Sequence, residues 1–152
     1  MSTLTFKVDI KPLKAKVKQV KATVKATVAD VTMEQLSLMQ NHAVNTIYSY
    51  PPSSWYVRTG NLGRNYVIDG SWTGSEYYAT LSNRTDYFTY VEKGTGIYHP
   101  NGRQTRWLYQ TSDGVWHWTK GMQGRYSMSK AFAEYRESLV PYMEYRLYDA
   151  LR

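Results

Sequence analysis

The sequence predicts an α+β subunit: a twisted antiparallel β-sheet packed by a long N-terminal helix and a C-terminal helix. Three observations carry this. Apolar residues recur at spacings of three and four from Leu13 to Ile47 and again from Met128 to Leu151, the period of an amphipathic helix. Between them lie aromatic and β-branched runs broken by turn residues, the signature of short strands. The pair Pro51-Pro52 stands at the first boundary, where a ring without an N–H ends a helix and disfavours helical geometry in the residue before it. The chain of 152 residues is expected to form one domain, burying roughly 70% of the surface its unfolded chain exposes. It divides into a strand and long basic arm (1–50), a β-sheet region (51–126) and a C-terminal helix (127–152).

In chain order, Phe6, Val8 and Ile10 alternate with Lys7 and Asp9 as in a short half-buried strand, which Pro12 ends. Leu13, Val17, Val20, Val24, Val28 and Val31 then mark one helix face. Thr32-Met33-Glu34-Gln35 has the form of a capping box, so a break or kink is expected near Asp30 within a helix spanning about Pro12 to Tyr50. Ser53 to Val57 is extended in character, and Gly60 supplies a turn before Leu62 packs. Gly63–Trp72 and Glu76–Ser82 read as paired strands around Thr73-Gly74-Ser75. A second hairpin is expected over 106–119, where Asp113-Gly114 separates two β-prone runs. Ser127 reads as the N-cap of the last helix, Lys130 and Glu134 as a supporting pair one turn apart, and Pro141 as a kink or a division.

Charge is unevenly placed. Residues 1–29 carry seven lysines against Asp9 alone, whereas 30–152 carry twelve basic and eleven acidic groups. The basicity belongs to the arm, which would attract nucleic acid, an acidic protein surface or an anionic membrane, or would simply be a solvated face. A helix this long needs a partner along its valine stripe. Val17, Val20, Val24 and Val28, with Lys14, Lys18, Lys21 and Lys25 beside them, are therefore the candidate interface residues. No apolar stretch approaches the length of a membrane span, and Met1–Phe6 has no apolar core of a signal peptide.

Catalytic inventories come up short. There is no cysteine, which removes disulfides, thiolate catalysis and Cys-ligated zinc. His42, His99 and His117 lack metal-ligand spacing. No nucleophile motif is present, and Gly94-Thr95-Gly96 lacks the length and following residues of a phosphate loop. Asp69, Glu76, Asp86 and Glu92 are the carboxylates from which a glycosidase pair would be drawn. Fifteen Tyr, five Trp and three Phe are read as core and protein–protein contact in preference to base or sugar stacking, because the lysines are segregated from them. No enzyme activity and no cofactor is expected.

Arg58-Thr59-Gly60-Asn61-Leu62 follows the long helix, and Tyr90-Val91-Glu92-Lys93-Gly94-Thr95 follows the paired strands. In that order, with the final helix opening after Tyr126, the chain resembles the tail-completion, or head–tail joining, proteins of long-tailed bacteriophages. The family's "Thr-Gly-x-Leu" falls on Thr59, Gly60 and Leu62, and its "Tyr-x-x-Val-Glu-x-Gly-Thr" on Tyr87 or Tyr90 with Val91, Glu92, Gly94 and Thr95. The resemblance implies a structural virion protein, assembled in the host cytoplasm, that forms a ring, commonly a hexamer, at the head-proximal end of the tail. Its partners would be other copies, the tail tube protein and the head-side connector or stopper protein. DNA would pass through the lumen without sequence recognition, and no membrane would be involved. The motif residues would be structural, with Gly60 and Gly94 in turns, Leu62 and Val91 in the core, and Glu92 paired with a basic group such as Arg58. A nucleic-acid-binding module using the lysine arm is the alternative.

Overall fold

The computed structural model describes residues 11–52, 58–111 and 113–152. The strand expected at Phe6–Ile10, the extended Ser53–Val57 segment and Ser112 lie outside the described residues. The fold is α+β. Helix α1 spans Lys11–Ser49, α2 is a single turn at Asn61–Arg64, and strands β1 (Tyr66–Thr73) and β2 (Glu76–Asn83) form an antiparallel ribbon. Helix α3 (Phe88–Lys93) and a 3-10 turn (Gly96–Tyr98) follow. Strands β3 (Trp107–Gln110) and β4 (Trp116–Thr119) make a second antiparallel ribbon, and α4 spans Ser127–Ala150. The described strands form two separate two-stranded sheets rather than one.

Helix α1 is 39 residues long, about 58 Å at 1.5 Å per residue. Its buried positions are Thr27, Val31, Gln35, Met39, Ala43 and Ile47, one every fourth residue, so they drift slowly round the helix and form a single seam. Helix α4 lies antiparallel along this seam. Lys130 donates to the Tyr50 hydroxyl, His42 Nδ1 lies 3.1 Å from Glu134, and Tyr142 and Arg146 both donate to the Glu34 carboxylate. The β1–β2 ribbon packs against another side of α1. The pairing sets Ile68, Gly70 and Trp72 of β1 on one face with Leu81, Ala79 and Tyr77 of β2, and β2 alternates in burial along its length, as the two-residue period of a strand requires.

The break expected near Asp30 does not occur. The Thr32 hydroxyl donates to the Val28 carbonyl at 2.7 Å, the back-bond of a threonine inside a helix rather than a cap. Gln35, instead of reaching back to Thr32, is buried in the seam. Packing on two sides carries the helix through a sequence of mediocre helix formers. Pro141 likewise stays within an unbroken α4. The expected Lys130–Glu134 pair is replaced by contacts to α1: Lys130 to Tyr50 and Glu134 to His42.

Two segments of the β-sheet region turn out helical. Residues 61–64 form α2, so β1 begins at Tyr66 and not at Gly63. Residues 88–93 form α3, with Tyr87 at its N-cap and no side-chain cap bond; in the loop before it the Asn83 side chain accepts from both the backbone N–H and the hydroxyl of Thr85. The core gathers Met39, Ala43, Ile47, Leu62, Tyr66 and Ala131, with Phe88, Val91 and Met128 against them. It lies towards the C-terminal end of α1.

Gln35 is 6% exposed and its Oε1 has no hydrogen-bond partner among the described residues, a costly position for a polar atom. Gln35→Met should therefore raise stability by about 1 kcal/mol in urea unfolding. A loss of similar size would show that Gln35 earns its place through a bond.

Candidate functional site

The two motif segments meet at one end of the α1–α4 pair, and Arg58 of the first and Glu92 of the second each cap a different long helix. Arg58 serves α1. Its Nη1 donates to the Tyr48 carbonyl at 3.0 Å and its Nη2 to the Tyr50 carbonyl, while the guanidinium lies 5.5 Å from the Tyr48 ring centre. The last carbonyls of a helix lack intrahelical donors and carry the negative end of its dipole, so a fixed cation belongs there. Thr59 and Gly60 turn the chain into α2, with Gly60 at φ 75°. Leu62 then enters the core, and the Tyr48 hydroxyl accepts from the Gly63 N–H.

Glu92 serves α4. Its Oε2 accepts from the Ser127 hydroxyl at 2.7 Å and the Met128 N–H at 3.2 Å, and its Oε1 from the Ser129 N–H at 3.0 Å and hydroxyl at 3.1 Å. An N-cap side chain normally satisfies the second or third N–H of the helix from the adjoining residue. Here Tyr126 holds that place with no side-chain cap bond, and a carboxylate from 35 residues upstream caps instead. Glu92 is only 8% exposed. Burial would raise its pKa, but the bonds from Ser127, Ser129 and Met128 outweigh burial and hold the carboxyl below its ordinary value of 4.5. Among the described residues no ion pair joins it. The expected pairing of Glu92 with Arg58 is thus replaced by two separate caps, and Ser127 is a ligand of the cap rather than the cap itself.

The rest of the second motif forms a backbone ladder. The Thr95 N–H donates to the Met122 carbonyl and its hydroxyl accepts from the Met122 N–H; Arg125 and Tyr126 donate to the Val91 and Glu92 carbonyls. Gly94 and Gly124 face each other so closely that a Cβ on Gly94 would stand 2.7 Å from the Gly124 nitrogen, and one on Gly124 would stand 2.7 Å from the Lys93 carbonyl carbon. The ladder holds Tyr126 at φ 51°, the one non-glycine residue with positive φ among those described. Val91 packs on the core, whereas Tyr90 is exposed.

Beside this junction lies a cavity of about 480 Å³, whose walls include Arg58, Leu62, Tyr90, Tyr109, Met122 and Arg125. Arg125 stacks on Tyr50, 3.9 Å from the ring centre. The other candidate residues lie elsewhere. Lys14, Lys18, Lys21, Val17 and Val20 are exposed on the first turns of α1, and Val24 and Val28 are half-buried. Lys25 lies 4.7 Å from the Trp72 ring centre and donates to the Gly74 carbonyl. The three histidines are dispersed: His42 at Glu134, His99 accepting from the Asn101 N–H, and His117 beside Tyr109. No group of three or more metal-ligating side chains occurs among the described residues.

Sequence reasoning missed the roles of Ser129, Arg125 and Tyr50. The short run Ser127-Met128-Ser129 was the available signal for a polar helix start, but its acceptor is remote in sequence.

Glu92→Gln should cost about 2 kcal/mol at neutral pH, since an amide replaces a charged acceptor of four hydrogen bonds. Because the folded-state pKa is depressed, this contribution is whole above about pH 4.5 and is lost as pH falls through the folded value. Urea unfolding across that range should show wild type losing stability with acid while Glu92→Gln changes less. Parallel curves would contradict the cap. Gly124→Ala should cost at least about 2 kcal/mol in the same assay, through a backbone collision that no side-chain movement relieves; a neutral effect would mean the ladder is looser than its geometry.

Comparison with protein-family models, with curated proteins and with solved structures finds no match to this chain.

Proposed function

We propose that this chain is a structural protein of a bacteriophage virion, assembling as a ring at the head-proximal end of the tail, where it completes or terminates the tail and joins it to the head connector. The observation that carries the reading is the projecting end of α1. Residues 11–22 are all exposed, yet Leu13, Val17 and Val20 recur at steps of four and three on the helix face that carries the buried Val31 downstream. Such a stripe on a well-formed helix is a surface for association. The ordered likeness to the tail-completion proteins supplies the setting. The capping roles of Arg58 and Glu92 add support, because they give one charged residue of each motif segment an architectural use.

On this reading the partners are further copies, six-fold symmetry coming from the family likeness alone, together with the tail tube protein below and the connector or stopper above. DNA passes through the opening without being read. The lysines steer the subunit to acidic surfaces of the neighbouring rings during assembly.

The test is to mix the purified protein with tail tubes and examine them by electron microscopy and sedimentation. Rings at one end of the tube, and self-association at high protein concentration, are expected. A protein that stays monomeric with tubes present contradicts the proposal. One observation favours a second reading: Lys14, Lys18 and Lys21 stand exposed along one flank of α1, as a phosphate-binding face would. A nucleic-acid module would bind DNA at about 50 mM salt, with affinity falling by several decades per decade of salt. Absence of binding there removes it.

A further inference from the structure

We propose that the outer face of the β3–β4 ribbon of one copy, led by Trp116 and Trp118, docks on the apolar stripe Leu13-Val17-Val20 of α1 in the next copy. The proposal rests on the self-assembly reading above and names the two surfaces that meet.

The ribbon has two unlike faces. Its pairing sets Leu108 opposite Trp118 and Gln110 opposite Trp116, so these four share one side. Trp107, Tyr109, His117 and Thr119 share the other and are half-buried against the body. On the outer side Trp116 is 61% exposed and Trp118 66%, with Leu108 also open. Tryptophan is among the residues that dominate interface energies, and two of them side by side on a rigid ribbon form an anchor.

The receiving surface continues an interface already made. Upstream of Val31 the same helix face carries the half-buried Val28 and Val24 and then the exposed Val20, Val17 and Leu13. Helix α4 runs antiparallel and ends at Ala150, having met α1 at Glu34 through Tyr142 and Arg146. The first turns of α1 therefore extend past it, with Leu13 62% and Val17 47% exposed.

The fold shows what kind of surface α1 accepts. Within the chain, α1 already packs on an antiparallel ribbon that presents a tryptophan, with Lys25 above the Trp72 ring and bonded to the ribbon's turn at Gly74. Lys14, Lys18 and Lys21 repeat the Lys25 position upstream at steps of four, three and four residues, along one flank of the stripe. Trp116 and Trp118 are about 6.7 Å apart along a strand, close to the ~6 Å rise of four helical residues. Two rings can thus sit on successive turns, each within reach of a lysine for a cation–π contact. The acidic Asp113 at the ribbon's tip adds a partner for the same lysines.

The contact cannot close within one copy. Tyr109 and Thr111 line the cavity beside Ile47 and Tyr48, at the C-terminal end of α1. Val17 lies 31 residues upstream of Tyr48, about 46 Å along the helix, while each strand of the ribbon has four residues. The partner must be another molecule. A contact between unlike surfaces of identical chains propagates head to tail, and closes into a ring when the rotation allows.

The chain contains no cysteine, so single variants V17C and W118C report cleanly. Mixed and oxidised, they should give the mixed disulfide dimer in clear excess over either like pair. The double variant W116A/W118A, folded by circular dichroism, should self-associate about tenfold more weakly or worse by sedimentation. If wild type assembles but like pairs or no pairs crosslink, and W116A/W118A assembles unchanged, the docking is overturned while the self-assembly reading stands. If wild type does not assemble at all, both fall. Glycan binding that W116A/W118A abolishes, with assembly unaffected, would assign the tryptophans to sugar and overturn the docking.

Discussion

The structure depends on one buried carboxylate. Glu92 leaves its own short helix and receives four hydrogen bonds from the first turn of α4. A charge taken out of water is costly unless every lone pair is matched, and a helix N-terminus supplies both the donors and the favourable end of a dipole. The geometry is therefore demanding in both directions. Without Glu92 the first N–H groups of α4 face a buried space unbonded, and without α4 the carboxylate is stranded. That mutual requirement fixes where α4 starts, and its antiparallel course along α1 follows.

The same logic explains the surrounding residues. The carboxylate reaches Ser127 only because the backbones of 91–97 and 120–126 lie almost in contact, which the glycines at 94 and 124 permit. Arg58 performs the matching task at the end of α1, where carbonyls rather than N–H groups need partners. A cation at a C-terminus, from the segment before α2, and an anion at an N-terminus, from the short helix α3, bind the two long helices to the small strands and turns between them. The junction is an architectural device. Its counterpart is the far end of α1, which the body leaves uncovered and which the proposed assembly employs.

Much of the fold was legible in the sequence because long periodic segments speak for themselves. The valine stripe, the Pro51-Pro52 boundary, the Gly74 turn and the Asp113-Gly114 hairpin each lie where local chemistry places them. Local reading failed where tertiary partners decide. Phe88–Lys93 is too short for a period to emerge, and its aromatic and β-branched residues favour strands, yet burial of Phe88, Val91 and Glu92 on one side makes it a helix. Thr32 and Gln35 mimic a helix start, but packing on two sides of α1 overrides them. The cap of α4 joins residues 35 apart, a distance at which no local pattern operates. For the same reason Glu92 stood out only as one of four carboxylates and as part of a family-like motif, and a basic group such as Arg58 was expected as its partner in place of the α4 start.

The central claim, that Glu92 rather than a local residue caps α4, is tested most directly by amide hydrogen exchange at Met128 and Ser129. First-turn amides of an ordinary helix have no intrahelical acceptor and exchange readily. If Glu92 holds them, both should be protected to nearly the level of core amides such as that of Ala43, and the protection should vanish selectively in Glu92→Ala. Exchange in the wild type at the rate of an open helix end would contradict the account.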